Sequence, residues 1–192
     1  MEAQAGTASR QAEKWSPSSD ASDIVKRIHA MLHPRNIVLV GATDKPGNYA
    51  ERIWTNLIKY QYEGGLFPVN AKRETIWGVP CYKDFVSLPE KPDHVLVLVP
   101  ARFAVQVIRD AAAAGARSAT IVTSGFSELQ DDESQKLAAE LQQAIRETGL
   151  AVSGPICLGN LSAGERLFTN IDDRIVTMEA GPVAIATNPA RS

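Results

Sequence analysis

The sequence predicts an α/β fold: a doubly wound, mostly parallel sheet with helices on both faces. Three observations carry that expectation. Short apolar runs alternate with helix-period repeats along most of the 192 residues, the signature of strand–helix–strand units joined by right-handed crossovers. Within two of the runs, Ile37 to Val40 and Val95 to Val99, consecutive positions are apolar, as in strands covered on both faces. The first run also passes through a glycine-rich turn into a helix, the arrangement of a Rossmann-like nucleotide cradle.

Met1 to about Ser22 is rich in Ala, Ser, Gln and Glu, with Trp15 as its only large apolar residue. It cannot bury enough surface to offset its ordering entropy, so residues 1–22 are expected to be a flexible tail and 23–192 the domain. From Asp23, the residues Ile24, Ile28, Met31 and Leu32 recur at helical spacing. Ser22 or Asp23 is placed to cap that helix, which ends near His33-Pro34. The strand Asn36–Gly41 follows. Ile53 and Leu57, with Trp54 and Ile58, repeat at i,i+4 and mark a helix over about Asn48 to Tyr60. Leu66–Asn70 reads as a second strand in which Pro68 limits the ladder.

Asp93–Val99 is the clearest strand, stopped by Pro100. Phe103, Val107 and Ala111, with Ala104 and Ile108, form the stripe of the next helix, closed by Gly115. Ser118–Thr123 gives another buried strand. Leu137, Leu141 and Ile145 mark a helix that runs through about Thr148 and stops at Gly149, and the acidic stretch Glu128–Glu133 reads as its negatively charged first turn. Leu150–Ser153 supplies a further strand. Beyond Pro155 the pattern weakens, and two short runs, Arg174–Met178 and Pro182–Thr187, are candidates to extend the sheet at one edge.

Composition narrows the ligand class. Twenty Lys and Arg against 22 Asp and Glu leave a net charge of -2, which offers no broad positive field to nucleic acid or an anionic membrane. No apolar run approaches the roughly 20 residues that cross a bilayer. The N-terminus has Ser, Gln and charge where a signal peptide has its apolar core. Cys81 and Cys157 are far apart and lack CxxC or Cys/His spacing, so two free thiols in a reducing cytoplasm are expected. A cytoplasmic protein with a small-molecule ligand, and with neither nucleic acid nor membrane as partner, fits these features.

The candidate binding residues lie where strands end. In the loop Gly41-Ala42-Thr43-Asp44-Lys45-Pro46-Gly47-Asn48, backbone N–H groups and a helix N-terminus can hold a phosphate. The GxGxxG pattern fails at Thr43, and the P-loop pattern lacks both its glycine spacing and its Lys-Ser/Thr. At the end of the second strand, where NAD-binding domains carry an acid, stands Val69-Asn70-Ala71-Lys72-Arg73. A basic pair there suits a phosphorylated ribose, as in NADP or the 3′-phosphate of coenzyme A. Val99, Pro100 and Ala101 end one strand, and Ser124 and Gly125 end another, so small residues let a flat heterocycle approach the backbone. Gly154-Pro155-Ile156-Cys157-Leu158-Gly159 puts a rigid turn on the same rim. Cys157 has no His nearby and reads as a small hydrophobe. His29, His33 and His94 show no triad or metal spacing, so no catalytic or metal-binding residue is expected.

In order along the chain, Pro34–Thr43 with Pro46-Gly47, Pro68–Lys72, Gly78–Tyr82, Asp93–Ala101, Ser124–Glu128, and Gly154-Pro155 with Cys157–Gly159 together resemble the coenzyme A-binding domain of the NDP-forming acyl-CoA synthetases. These are relatives of the succinyl-CoA synthetase alpha subunit, and the resemblance runs from about His33 to Thr187. It implies that Gly41–Asn48 lies against the coenzyme A phosphates and that Lys72 sits near its phosphate groups. It further implies that Val99-Pro100-Ala101 and Ser124-Gly125 line the nucleotide and pantetheine path, with the thiol directed toward Gly154-Pro155. Such synthetases activate an acid through an acyl phosphate, using a phosphohistidine in a following domain and an ATP-grasp module. Neither fits in this chain, so the resemblance implies missing domains or a ligase or ATP-grasp partner subunit.

Two positions depart from the pattern. The family usually has Asn between Pro155 and Cys157, where this sequence has Ile156 and so loses a side-chain amide at the thiol end. The chain stops at Asn188–Ser192, where the family runs on through a Gln-Ser-Gly segment, as expected of a fragment or a stand-alone relative. The expected function is binding of coenzyme A or acyl-CoA without catalysis by this chain alone. Two alternatives are an NADP-binding oxidoreductase fragment, favoured by Lys72-Arg73, and a ligand-free regulatory interaction module, favoured by Ile156.

Overall fold

The computed structural model describes residues 19–172 and 179–181. In chain order, helix α1 (Ser19–Leu32) leads into strand β1 (Asn36–Val40), helix α2 (Tyr49–Lys59) and strand β2 (Gly65–Val69). Two short strands follow, β3 (Thr75–Ile76) and β4 (Val79–Pro80). Then come β5 (His94–Val97), α3 (Ala101–Ala113), β6 (Ser118–Ile121), α4 (Asp132–Thr148) and β7 (Ala151–Ser153). A last pair, β8 (Leu161–Ser162) and β9 (Leu167–Phe168), completes the described chain. The runs Arg174–Met178 and Pro182–Thr187 lie outside the described residues.

Five strands form one sheet in the order β2-β1-β5-β6-β7, and every pairing in it is parallel. The strand order reverses direction after β2, which is the switch point of a doubly wound sheet. Successive residues of a strand face opposite sides, and β1 shows the result. Val38 and Val40 join the core beneath α3 and α4 with Val95, Val97, Ile108 and Leu141. Ile37 and Leu39 join the core beneath α2 with Ile53, Leu57 and Leu96. Both sets must be apolar because both faces are covered, hence the unbroken Ile-Val-Leu-Val run.

Pro68 is accommodated at a sheet edge. Its carbonyl accepts from Tyr82 N at 2.9 Å on the side away from β1, so its missing N–H would also have pointed outward, where the ladder does not need it. The hairpin β3–β4 turns through Trp77 at φ 51° and Gly78 at φ 81°, both left-handed as a type I′ turn demands.

Helix α1 differs from expectation at two points. It starts at Ser19, so Ser22 and Asp23 lie inside the helix and do not cap it. Asp23 is engaged instead by Arg27 one turn on, at 2.8 Å, an i,i+4 pair of the kind that supports an exposed helix. Ile28, assigned to the apolar face, is 51 % exposed, whereas Ala30 is buried. Among the described residues no helix is long and apolar enough to cross a membrane.

Candidate functional site: the carboxyl rim of the sheet

The loops that follow β1, β2, β5, β6 and β7 share one rim of the sheet, because all five strands run in the same direction. Gly41, first in its loop, has φ +93° and donates its N–H to Val69 O at 3.0 Å. A Cβ there would stand 2.9 Å from the carbonyl carbon of Leu98, so the close approach of the β1 and β5 ends requires glycine. Asn70 Nδ2 donates to Ala42 O at 2.7 Å and ties the end of β2 to the same loop.

Asn48 organises the rest of the loop. Its Oδ1 accepts from Glu51 N at 3.0 Å as the N-cap of α2, and its Nδ2 donates to Thr43 O at 3.1 Å and to Lys45 O. Glu51 returns the favour by accepting from Gly47 N at 2.5 Å. Asn48-x-x-Glu51 has the spacing of a capping box, a signal present in the sequence, but Glu51 reaches the amide of Gly47, one residue before the N-cap. The Gly47 amide is therefore occupied by an acid, whereas those of Thr43, Asp44 and Lys45 have no acceptor among the described residues. Those three amides, beside the positive end of α2, are the ones a phosphate can take.

The basic pair after β2 is not symmetric. Arg73 pairs with Asp44 at 2.8 Å across the two loops, with both side chains about half exposed. Lys72 is exposed and has no carboxylate partner among the described residues, while its backbone N–H is held by Asn70 Oδ1 at 2.9 Å. The positive charge of Lys72 therefore stands uncompensated by any carboxylate among the described residues.

On the other side of Gly41, Thr123 Oγ1 donates to Val99 O at 2.7 Å. Gly125, at φ +106°, leaves room for Ala101, whose Cβ lies 3.2 Å from where a Gly125 Cβ would sit. The β5 and β6 ends are thus in contact, with Pro100 and Ser124 exposed upon them. Glu128 corrects one expectation. Helix α4 begins at Asp132 with Asp131 as its N-cap, so Glu128 lies before the helix and folds back to accept from Gly125 N and from Phe126 N, the latter at 3.0 Å. Burial pushes this carboxyl up, but the amide hydrogen bonds outweigh it and hold the group below its ordinary range. The Gly125 amide is consequently spoken for, and Ser124 presents its hydroxyl instead.

The turn after β7 contains a cis Gly154–Pro155 bond. A Cβ on Gly154 would meet Ile121 O at 2.4 Å, so this turn lies directly on β6. Ile156 has φ 57° and donates its N–H to Thr123 O at 3.3 Å. Cys157 turns inward, its Sγ 3.1 Å from Ser153 Oγ, while Ile156 and Leu158 on either side are exposed. Beneath the turn, Asn160 Nδ2 donates to Thr120 Oγ1 at 2.8 Å. Thr120 Oγ1 lies 3.1 Å from His94 Nε2, and His94 Nδ1 lies 2.8 Å from Ser118 Oγ. Burial holds His94 neutral and lowers its pKa to about 4, and the ring has no exposure to solvent. His94 belongs to the scaffold beneath the rim.

Each predicted binding residue, from Gly41 through Lys72 and Gly125 to Pro155, lies in one of these five loops or at the strand end that opens it, except Ala101, which is the first residue of α3. A cavity of about 530 Å³ lined by Phe85, Leu88, Pro92 and Ala113 lies at the opposite, amino-terminal ends of the strands. It includes none of the rim loops, and the rim is the better site because ligands of open α/β sheets bind outside the carboxyl strand ends. Among the described residues no cluster of His, Cys, Asp and Glu is placed to hold a metal ion.

A doubly wound parallel sheet with a capped glycine loop at its switch point defines a nucleotide-binding class of domain. Within that class the chain belongs to the CoA-binding domain family, whose sequence profile matches residues 35–163. The chain is 30% identical over 161 residues to a trans-feruloyl-CoA synthase from an unknown prokaryotic organism, covering 83% of this chain and 23% of that protein. It is 33% identical over 136 residues to the alpha subunit of the ADP-forming acetate–CoA ligase I of Pyrococcus furiosus, covering 69% and 29% respectively. A solved dinucleotide-forming acetyl-coenzyme A synthetase 1 of Ca. Korarchaeum cryptofilum superposes with a TM-score of 0.70 at 30% identity, covering 75% of this chain and 30% of that one. The chain thus spans between about a fifth and a third of these relatives. The family and fold expected from the sequence agree with these findings.

Proposed function

We propose that this domain binds coenzyme A or an acyl-CoA along the carboxyl rim, as the CoA-binding part of an NDP-forming acyl-CoA ligase or as a stand-alone relative of that part. The observation that carries the reading is the coincidence of the family match, residues 35–163, with all five rim loops. The pyrophosphate lies over the amides of Thr43–Lys45 at the α2 N-terminus, the 3′-phosphate meets Lys72, and the pantetheine arm crosses Pro100-Ala101 and Ser124-Gly125 toward Pro155. Coenzyme A is a substrate of the whole ligase, and the acid-activating steps belong to partner subunits or domains. A cytoplasmic setting follows, since coenzyme A and free thiols such as Cys81 and Cys157 persist together where the environment is reducing.

Calorimetric titration with coenzyme A, dephospho-coenzyme A and NADP tests the reading. Coenzyme A should bind, and removal of its 3′-phosphate should weaken binding about tenfold, the loss expected for one exposed charge-assisted contact. Binding of NADP alone would favour an oxidoreductase fragment, which the Lys72-Arg73 pair also suits. No binding would leave a partner-docking module, to which Ile156 lends its exposed apolar side chain.

A further inference from the structure

We infer that Ile156 and Leu158 form an apolar lip for an acyl chain, so that the preferred ligand is an aliphatic acyl thioester of coenzyme A and the free thiol is bound less well. The inference rests on the rim-binding reading above. With phosphates at the β1 loop and the ribose phosphate beside β2, the rest of an extended ligand must run across β5 and β6 toward β7, because the strand order is β2-β1-β5-β6-β7. That is three strand spacings, roughly 14 Å. The far end of the ligand therefore arrives at the turn that carries Ile156.

This turn displays apolar surface in an unfavourable way. Ile156 holds a left-handed φ of 57°, a conformation in which a β-branched side chain crowds its own backbone. Ile156 is 38 % exposed and Leu158 58 % exposed, and neither joins either core cluster. Cys157 between them is turned inward toward Ser153, so the two aliphatic groups project from the rim without the thiol. Strained backbone that persists without any return in core packing marks a functional position. A bare thiol gains little from two aliphatic walls, whereas methylene groups laid on them leave water.

The test is titration of the full 192-residue chain with coenzyme A, butyryl-CoA and octanoyl-CoA, alongside the variants Ile156→Asn and Leu158→Ser. A fully buried methylene gives about fourfold in affinity, and a lip open to solvent gives less. Octanoyl-CoA should therefore bind the wild type roughly tenfold more tightly than coenzyme A. Both variants should flatten that trend while holding coenzyme A affinity within about twofold, and Ile156→Asn keeps the turn, since Asn tolerates the left-handed region. Equal wild-type affinities along the series would overturn the lip, as would variants that weaken coenzyme A and octanoyl-CoA alike. If coenzyme A binds without chain-length dependence only the lip falls, and if no ligand binds the rim reading falls with it.

Discussion

Two glycines of one loop separate steric need from conformational preference. Gly41 and Gly47 both have positive φ, 93° and 71°, but a Cβ on Gly41 meets the Leu98 carbonyl carbon at 2.9 Å while one on Gly47 meets nothing within 4 Å. Gly47→Ala should therefore cost only the left-handed penalty, about 1 kcal/mol. Gly41→Ala adds a backbone collision and should cost about 3 kcal/mol or more. Urea denaturation of the two variants checks the ordering, and equal losses would show that Leu98 gives way. The sequence made both glycines visible as turn residues, but the collision depends on β5, more than fifty residues away, and could not be read locally. The backbone angle of Ile156 was hidden for a related reason: β-branched residues argue for extended backbone, and only the surrounding turn forces the left-handed φ.

Among the elements, strands and helices with strong periodicity were legible. The run from Ile37 to Val40 required a buried strand, and Gly149, at φ 67°, ends α4 as a glycine in the left-handed C-cap does. The hairpins β3–β4 and β8–β9 were not legible, because two-residue strands carry no period and Trp77 is an unusual occupant of a type I′ turn. Capping residues distinguish structural from functional helix starts. Asn48 caps α2 and also holds the carbonyls of Thr43 and Lys45, so Asn48→Ala should cost about 1 kcal/mol and in addition weaken coenzyme A binding by loosening the cradle. Asp131 caps α4 through Ser134 N at 2.9 Å and touches no part of the β1 loop in the contacts it makes. Asp131→Ala should lower the melting temperature and leave coenzyme A affinity unchanged. Parallel melting and titration of the two variants would show the contrast, and an affinity loss in both would remove it.

At the scale of the whole molecule, a polar chain runs from Ser118 and His94, at the starts of β6 and β5, through Thr120 to the partly buried Asn160. His94 has its pKa lowered by burial from 6.5 to about 4, so between those values the unfolded chain binds a proton that the folded chain refuses. Stability from this site is thus complete above about pH 6.5 and falls with pH toward 4, by about 3 kcal/mol at most. Asp93 acts in a lower window. Burial raises its carboxyl, but the Arg35 and Asn36 amides and the Arg117 guanidinium outweigh that and hold it below 3.8, so its contribution is lost only as pH falls below that value. Urea midpoints should decline from pH 6.5 to 4 in the wild type, and His94→Gln should flatten the decline; an unchanged slope would assign it elsewhere.

That the glycines, prolines and basic pair at strand ends share one edge was legible, since parallel order alone brings strand ends together. What the sequence could not convey was occupancy: Glu51 and Glu128 already take the Gly47 and Gly125 amides, whereas those of Thr43 to Lys45 have no acceptor among the described residues. The most direct measurement is therefore amide chemical-shift mapping of the domain by NMR as coenzyme A is added. The largest shifts should fall on the amides of Thr43–Lys45, Lys72 and Ala101, with little change around Phe85–Pro92. Shifts concentrated at the amino-terminal strand ends, around the Phe85–Pro92 cavity, would contradict it.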